Sequence, residues 1–184
     1  EAILLPEWFP FHISKVSYWS RTVMVPMFVV CALKPKARNV GGVGIQELFL
    51  TKPEKIRQWQ NNPTGSRLGN FFLVLDKVLR AIEVFFPKFL EKKSIDLCMD
   101  FTLTRLNGED GLGAIFPAMA NSVMAMDALG YSRDDPNFKI ARKSIDLLVV
   151  EHGDWAYCQP CVSPIWDTGL AAHALLEAGL PGDH

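Results

Sequence analysis

Lys93-Ser94-Ile95-Asp96-Leu97 returns fifty residues later as Lys143-Ser144-Ile145-Asp146-Leu147. A repeat at this period marks an array of similar structural units. Each copy continues alike: an apolar stretch, an acidic Gly-rich turn (Gly108-Glu109-Asp110-Gly111, then Gly153-Asp154-Trp155), a Pro, and a small-residue helix closing in Ala128-Leu129-Gly130 or Glu177-Ala178-Gly179. Gly suits such an ending because the residue after a helix commonly turns left-handed, where a Cβ is penalised. The unit reads as helix, Gly-turn, helix, with turns at 108–114 and 153–160. No stretch alternates with strand period for any length, so the chain is read as all-α.

Working outward, a first helix is expected from Ile13 to Leu33, with Ser14 as cap and Lys34-Pro35 as stop. An irregular link follows from Lys36 to Gly69, with Gly41-Gly42, Lys52-Pro53 and Asn61-Asn62-Pro63-Thr64-Gly65 as breakers and a short helix at Glu54–Gln60. A helical segment, Asn70–Phe86, ends at Pro87, and Lys88–Leu106 resumes as the first helix of the repeat. This divides the chain into 1–92 (entry helix, linker, apolar helix) and two repeats, 93–142 and 143–184.

The net charge of −1 with 21% charged residues gives no basic surface for nucleic acid. Hydrophobic content is 49%, yet no run reaches the length of a membrane span, and Pro26 interrupts the longest, Thr22–Leu33. The four cysteines form no disulfide framework, and Cys158-Gln159-Pro160-Cys161 lacks the second pair a zinc site wants, so no metal is expected. Reduced thiols fit a cytoplasmic setting. Glu1 is no natural start, and Asp183-His184 falls just after a repeat helix without the polar cap a terminal repeat needs, so an internal stretch of a longer protein is expected.

The sharper motif is Ser163-Pro164-Ile165-Trp166-Asp167-Thr168-Gly169-Leu170. Pro164 suits a helix entry, and Asp167 and Thr168 can take free N–H groups of the first turn. Trp166 is then held at a helix N-terminus, either as a core residue sealing one repeat against the next or as part of a cavity wall. The segment Phe71–Lys93 carries apolar residues on more than one stripe, which fits either a helix between layers or a monotopic anchor with Lys88, Lys92 and Lys93 at headgroup level.

Four separated motifs occur in order: Leu5-Pro6-Glu7-Trp8-Phe9-Pro10-Phe11-His12 through Arg21, Asp110-Gly111-Leu112-Gly113-Ala114-Ile115-Phe116-Pro117, the Gly-Asp-Trp turn, and the Trp-Asp-Thr-Gly helix start. Together they resemble the bacterial squalene–hopene cyclases, over nearly the whole chain except Lys52–Ser66. The resemblance implies an α/α-toroid (α/α barrel) with degenerate Gly-turn repeats, and a cofactor-free isomerase that cyclises squalene to hopene or, by adding water, to hopanol. It also implies a monotopic enzyme on the cytoplasmic face of the cell membrane, with membrane lipid as partner and a homodimer as its assembly. The apolar segment from Val84 to Leu90 then corresponds to the membrane plateau, with Phe85, Phe86 and Phe89 facing outward.

Squalene is a hydrocarbon, so binding it requires a large apolar cavity that folds the chain. Cyclisation starts with protonation by a carboxylic acid, and aromatic faces then stabilise successive carbocations without capturing them. Carried over from the family, the aromatic wall falls on Trp19 and Trp166. Ile115, Phe116 and Pro117 match the segment near the last cation, and Val16 and Met24 lie where the access channel narrows. The chain departs from the family pattern at Phe116 (a Gln can stand there), Asn121 (a Tyr), Gly111-Leu112-Gly113 without the usual Trp, and Glu151 in place of Gln.

The catalytic acid belongs, in the family, to an Asp-x-Asp-Asp motif well beyond the Trp-Asp-Thr-Gly helix, so no catalytic residue is expected here. Asp134-Asp135 reads as a solvated loop pair, and Asp110, Asp154 and Asp167 as turn and cap residues. His12 and His173 read as packing residues. Two other readings stand beside the cyclase: another class II terpene cyclase, separable by the downstream acid motif and products, and a non-catalytic helical-repeat binding module, which would show a polar, shallow groove.

Overall fold

In the computed structural model, which describes residues 2–57, 59–83, 85–108 and 110–183, the two copies of the pentapeptide lie on helices. They diverge immediately afterwards. The first copy sits inside α3 (Lys88–Leu103), which continues past it, whereas the second ends α5 (Pro136–Asp146). Ser94 and Ser144 of the two copies are both buried. The other helices are α1 (Tyr18–Leu33), α2 (Arg67–Glu83), α4 (Phe116–Ala128) and α6 (Pro164–Glu177). Val84, where the plateau segment was expected to begin, and Glu109 of the first Gly-turn lie outside the described residues.

The chain falls into two units, residues 1–35 with 92–184, and residues 36–91. In the first, the core joins Val25 and Val29 of α1, Cys98 and Met99 of α3, Ala125 and Met126 of α4, and Phe138 and Ala141 of α5. The spacing Val25–Val29 is one helical turn, so both point at the same neighbour. Burying each of the larger side chains contributes about 1.5–3 kcal/mol.

Helix ends follow the expected chemistry at their C-termini. Gly130 (φ 80°) and Gly179 (φ 90°) are left-handed. After α4, Gly130 N–H reaches Asp127 O and Tyr131 N–H reaches Met126 O; after α6, Gly179 and Leu180 do the same to Leu176 and Leu175. That is the Schellman pattern. Lys34 takes a left-handed conformation to close α1 ahead of Pro35.

The expected start of α1 is corrected. Ser14 does not cap a helix at Ile13: Ile13–Lys15 is a 3-10 turn in which Ser14 bonds His12 Nδ1. Ser17 is the cap instead, accepting from Ser20 N–H at 3.2 Å.

The second repeat departs further. Its apolar stretch is not helical: β1 (Val149–His152) and β2 (Trp155–Cys158) form an antiparallel hairpin, so the chain is mostly helical but this repeat is not a plain helix pair. The loop is Gly153-Asp154, with positive φ (62°) at Gly153 only, which matches a II′ hairpin turn. Val149-Val150 on one flank and Trp155 and Tyr157 on the other are strand formers, and this local preference overrides continuation of α5.

In the second unit, α2 begins at Arg67 and stops at Glu83, three residues early at each end of the expected span. Ser66 Oγ accepts from Gly69 N–H at 3.0 Å, which sets that start. Of the short helix expected at Glu54–Gln60, in which Gln58 lies outside the described residues, only Glu54-Lys55 is helical among the described residues, as the end of a 3-10 turn, Pro53–Lys55. No helix among the described residues is long and apolar enough to cross a membrane.

Candidate functional site

The candidate wall residues lie at the first turns of α1, α4 and α6. Two of these turns are tied by backbone pairing. Ile115 and Cys161 form a β-bridge, with Phe116 N–H donating to Pro160 O at 2.9 Å and Val162 N–H to Ala114 O at 2.8 Å. The pairing brings the entry to α4, with Ile115, Phe116 and Pro117, beside Pro160–Val162, the segment that leads into α6; Trp166 lies in the first turn of that helix, beyond the paired residues.

The turn before α4 runs through Gly111 (φ 61°), Gly113 (φ 67°) and Ala114 (φ 55°), all left-handed. Between them Leu112 is fully buried. A Cβ at Gly111 would strike Ser144, and one at Gly113 would strike Thr22. Gly is needed at both positions on two counts, backbone conformation and space. Thr22 is buried in α1 and donates its hydroxyl to Trp19 O at 2.6 Å. The turn that leads to Ile115 therefore rests on the α1 turn that carries Trp19.

Exposure varies among these residues. Ile115 is buried, Val16 and Met24 are half-buried, and Pro117 is exposed. Trp19 is 58% exposed, Phe116 43% and Trp166 75%. Asp167 does not cap the N-terminus of α6 as expected. It accepts the Ser163 hydroxyl at 2.8 Å, and Ser163 makes no side-chain cap bond. Phe85 and Phe89 are exposed, whereas Phe86 is half-buried. Lys88 pairs with Glu91 at 2.8 Å.

The other carboxylates have local duties. Asp135 Oδ1 accepts from Asn137 and Phe138 N–H to cap α5, and Asp134 pairs with Lys139 at 2.9 Å. Asp154 sits in the hairpin loop. Burial pushes the Cys98 thiol up to about 11.

Sequence reasoning did not find the Gly113–Thr22 contact, the Ala114–Phe116 pairing with Pro160–Val162, or a hydrogen bond from Asn121 Nδ2 to Val23 O at 3.2 Å. Each joins positions far apart in the chain, and no local spacing announces such a contact. Nor did it single out the Arg21 guanidinium, which lies 5.8 Å from the Tyr18 ring while its buried Nε makes no hydrogen bond among the described residues.

Residues 1–154 match the family described as squalene-hopene cyclase N-terminal domain. The chain is 56% identical over 180 residues to a squalene–hopene cyclase of Bradyrhizobium diazoefficiens, covering 97% of this chain and 27% of that protein. It is 51% identical over 185 residues to a squalene–hopene cyclase of Zymomonas mobilis and 50% identical over 181 to a probable one of Sinorhizobium fredii, with 97% of this chain and 28% of each protein covered. The chain thus spans little more than a quarter of the length of these relatives. The match runs through α1, the Gly-turn and the start of α4, the elements that carry most of the candidate wall, and the chain belongs to the squalene–hopene cyclase family.

Proposed function

We propose that the protein carrying this chain cyclises squalene to hopene and hopanol, and that this chain supplies part of the cavity wall. The observation that supports the reading is the pairing of Ala114–Phe116 with Pro160–Val162, which ties the entry to α4 to the segment leading into α6, the helix that carries Trp166. A hydrocarbon offers no hydrogen-bonding handle, so shape and apolar contact must fold it. The faces of Trp19 and Trp166 stabilise the cations as they form, each by about 1–2 kcal/mol, because an aromatic quadrupole attracts positive charge and offers no strong nucleophile.

The proton donor is assigned to the Asp-x-Asp-Asp motif that the family carries downstream of its Trp-Asp-Thr-Gly helix, so this chain by itself converts no squalene. Hopanol arises when water, admitted only at the end, adds to the last cation. The enzyme works as a homodimer held monotopically on the cytoplasmic face of the membrane. Exposed Phe85 and Phe89, with Lys88, Lys92 and Lys93 near them in sequence, support that attachment.

The test is turnover of squalene by the full-length protein in detergent, with products separated by gas chromatography. Trp166→Leu should slow turnover about 5–30-fold, the loss of about 1–2 kcal/mol, while Trp166→Phe retains most of it. Unchanged rate and products with leucine at both Trp19 and Trp166 would remove these residues from the wall.

A further inference from the structure

Pro26 lies inside α1 and has no N–H to give the carbonyl of Thr22, so the turn from Thr22 to Val25 lacks one bond of the helical ladder. On this turn Asn121 of α4 donates its amide to Val23 O at 3.2 Å, across 98 residues of chain. Val23 lies one helical turn from Trp19 on the same face of α1, and Asn121 one turn from Pro117 on the same face of α4. Each end of the bond is thus about 6 Å along its helix from a candidate wall residue.

We propose that Asn121 is a positioning residue for the wall: its amide fixes the α1 turn carrying Trp19 against the α4 turn carrying Pro117. The Gly113–Thr22 contact fixes spacing by steric fit, which sets a minimum approach. The amide, a directional donor, adds a local constraint on the rotation of the Trp19–Val23 turn to the one that core packing of Val25 and Val29 places on α1. The consequence for the reaction rests on the cyclase reading; the placement of Trp19 does not.

The test uses the full-length protein labelled with fluorotryptophan, the Trp19 resonance being assigned by its loss in Trp19→Phe. Asn121→Leu removes the donor at similar volume, and Asn121→Gln keeps it. The Trp19 resonance should move in the leucine variant and return toward its original position in the glutamine variant, while those of Trp155 and Trp166 stay. An unmoved Trp19 resonance in Asn121→Leu overturns the proposal, and so does a common shift of all three, which would make the bond general packing. With squalene, Asn121→Leu should change the hopene-to-hopanol ratio several-fold and Asn121→Gln should restore it. A moved resonance with an unchanged ratio overturns the role in the reaction. Failure of the parent protein to cyclise squalene sinks the functional reading instead, and the resonance still decides where Asn121 holds Trp19.

Discussion

Gly113→Ala isolates the contact on which the α4 entry rests. The new Cβ meets two costs. At φ 67° a residue with a Cβ is strained by about 1–2 kcal/mol, and the buried Thr22 side chain must be displaced, an overpacking cost of about 1–3 kcal/mol. Against this, alanine restricts the unfolded chain and returns about 0.4–1 kcal/mol. The net loss is about 1–5 kcal/mol, centred on ~3. Gly153→Ala is the control: its φ is 62°, but nothing lies within 4 Å of a Cβ there, so strain alone remains, about 1 kcal/mol after the same correction. Urea denaturation followed by tryptophan fluorescence should place Gly113→Ala well below Gly153→Ala. Adding Thr22→Ala to Gly113→Ala should recover part of the difference as a coupling energy. Equal midpoints for the two glycine variants, or no coupling with Thr22, would refute the interlock.

Further outcomes are expected. Ala114→Gly should stabilise the protein by about 0.5–1 kcal/mol in the same assay, since release of left-handed strain at φ 55° exceeds the entropy gained by the unfolded chain. Cys31, Cys158 and Cys161 should alkylate readily in native protein and Cys98 only on unfolding. Because burial raises the Cys98 thiol from 9.0 to about 11, its contribution is complete below pH 9 and is lost as pH rises through 11; Cys98→Ala should remove that slope from the alkaline stability profile. Replacing Phe85, Phe86 and Phe89 with Ser should release the full-length protein from anionic vesicles in a sedimentation assay, with Phe86, half-buried, contributing least. Binding by the unsubstituted protein should weaken with salt.

What the sequence made legible was local. The Gly endings of α4 and α6, the stop at Lys34-Pro35 and the Pro entry of α6 each rest on chemistry within a few residues, and each is found where it was expected. The hairpin was also local, but its signal was outweighed: Gly153-Asp154 between Val149-Val150 and Trp155-Ala156-Tyr157 is a hairpin signature, and the repeat pattern had already claimed that stretch for a helix and a turn. Ser14 and Ser17 both satisfy the cap rule; only the bond to His12 removes Ser14 from competition. For the candidate site, residue types were legible through the family motifs. The contacts that join α1 to α4 and the turn before it were not, because Thr22 with Gly113 and Asn121 with Val23 are products of tertiary packing.

The bonds between the entries of α4 and α6 run from main chain to main chain, so they are indifferent to which side chains the positions carry. Phe116 supplies its N–H whether the side chain is aromatic or an amide, and Pro160 offers its carbonyl as any residue would. Side chains at the entry to α4 can therefore be exchanged without dismantling the frame that presents them. On the proposed cyclase reading, a lineage built this way is free to explore new products by point substitution at 115–117 and at Trp166, while Gly111 and Gly113, which permit the turn, stay fixed.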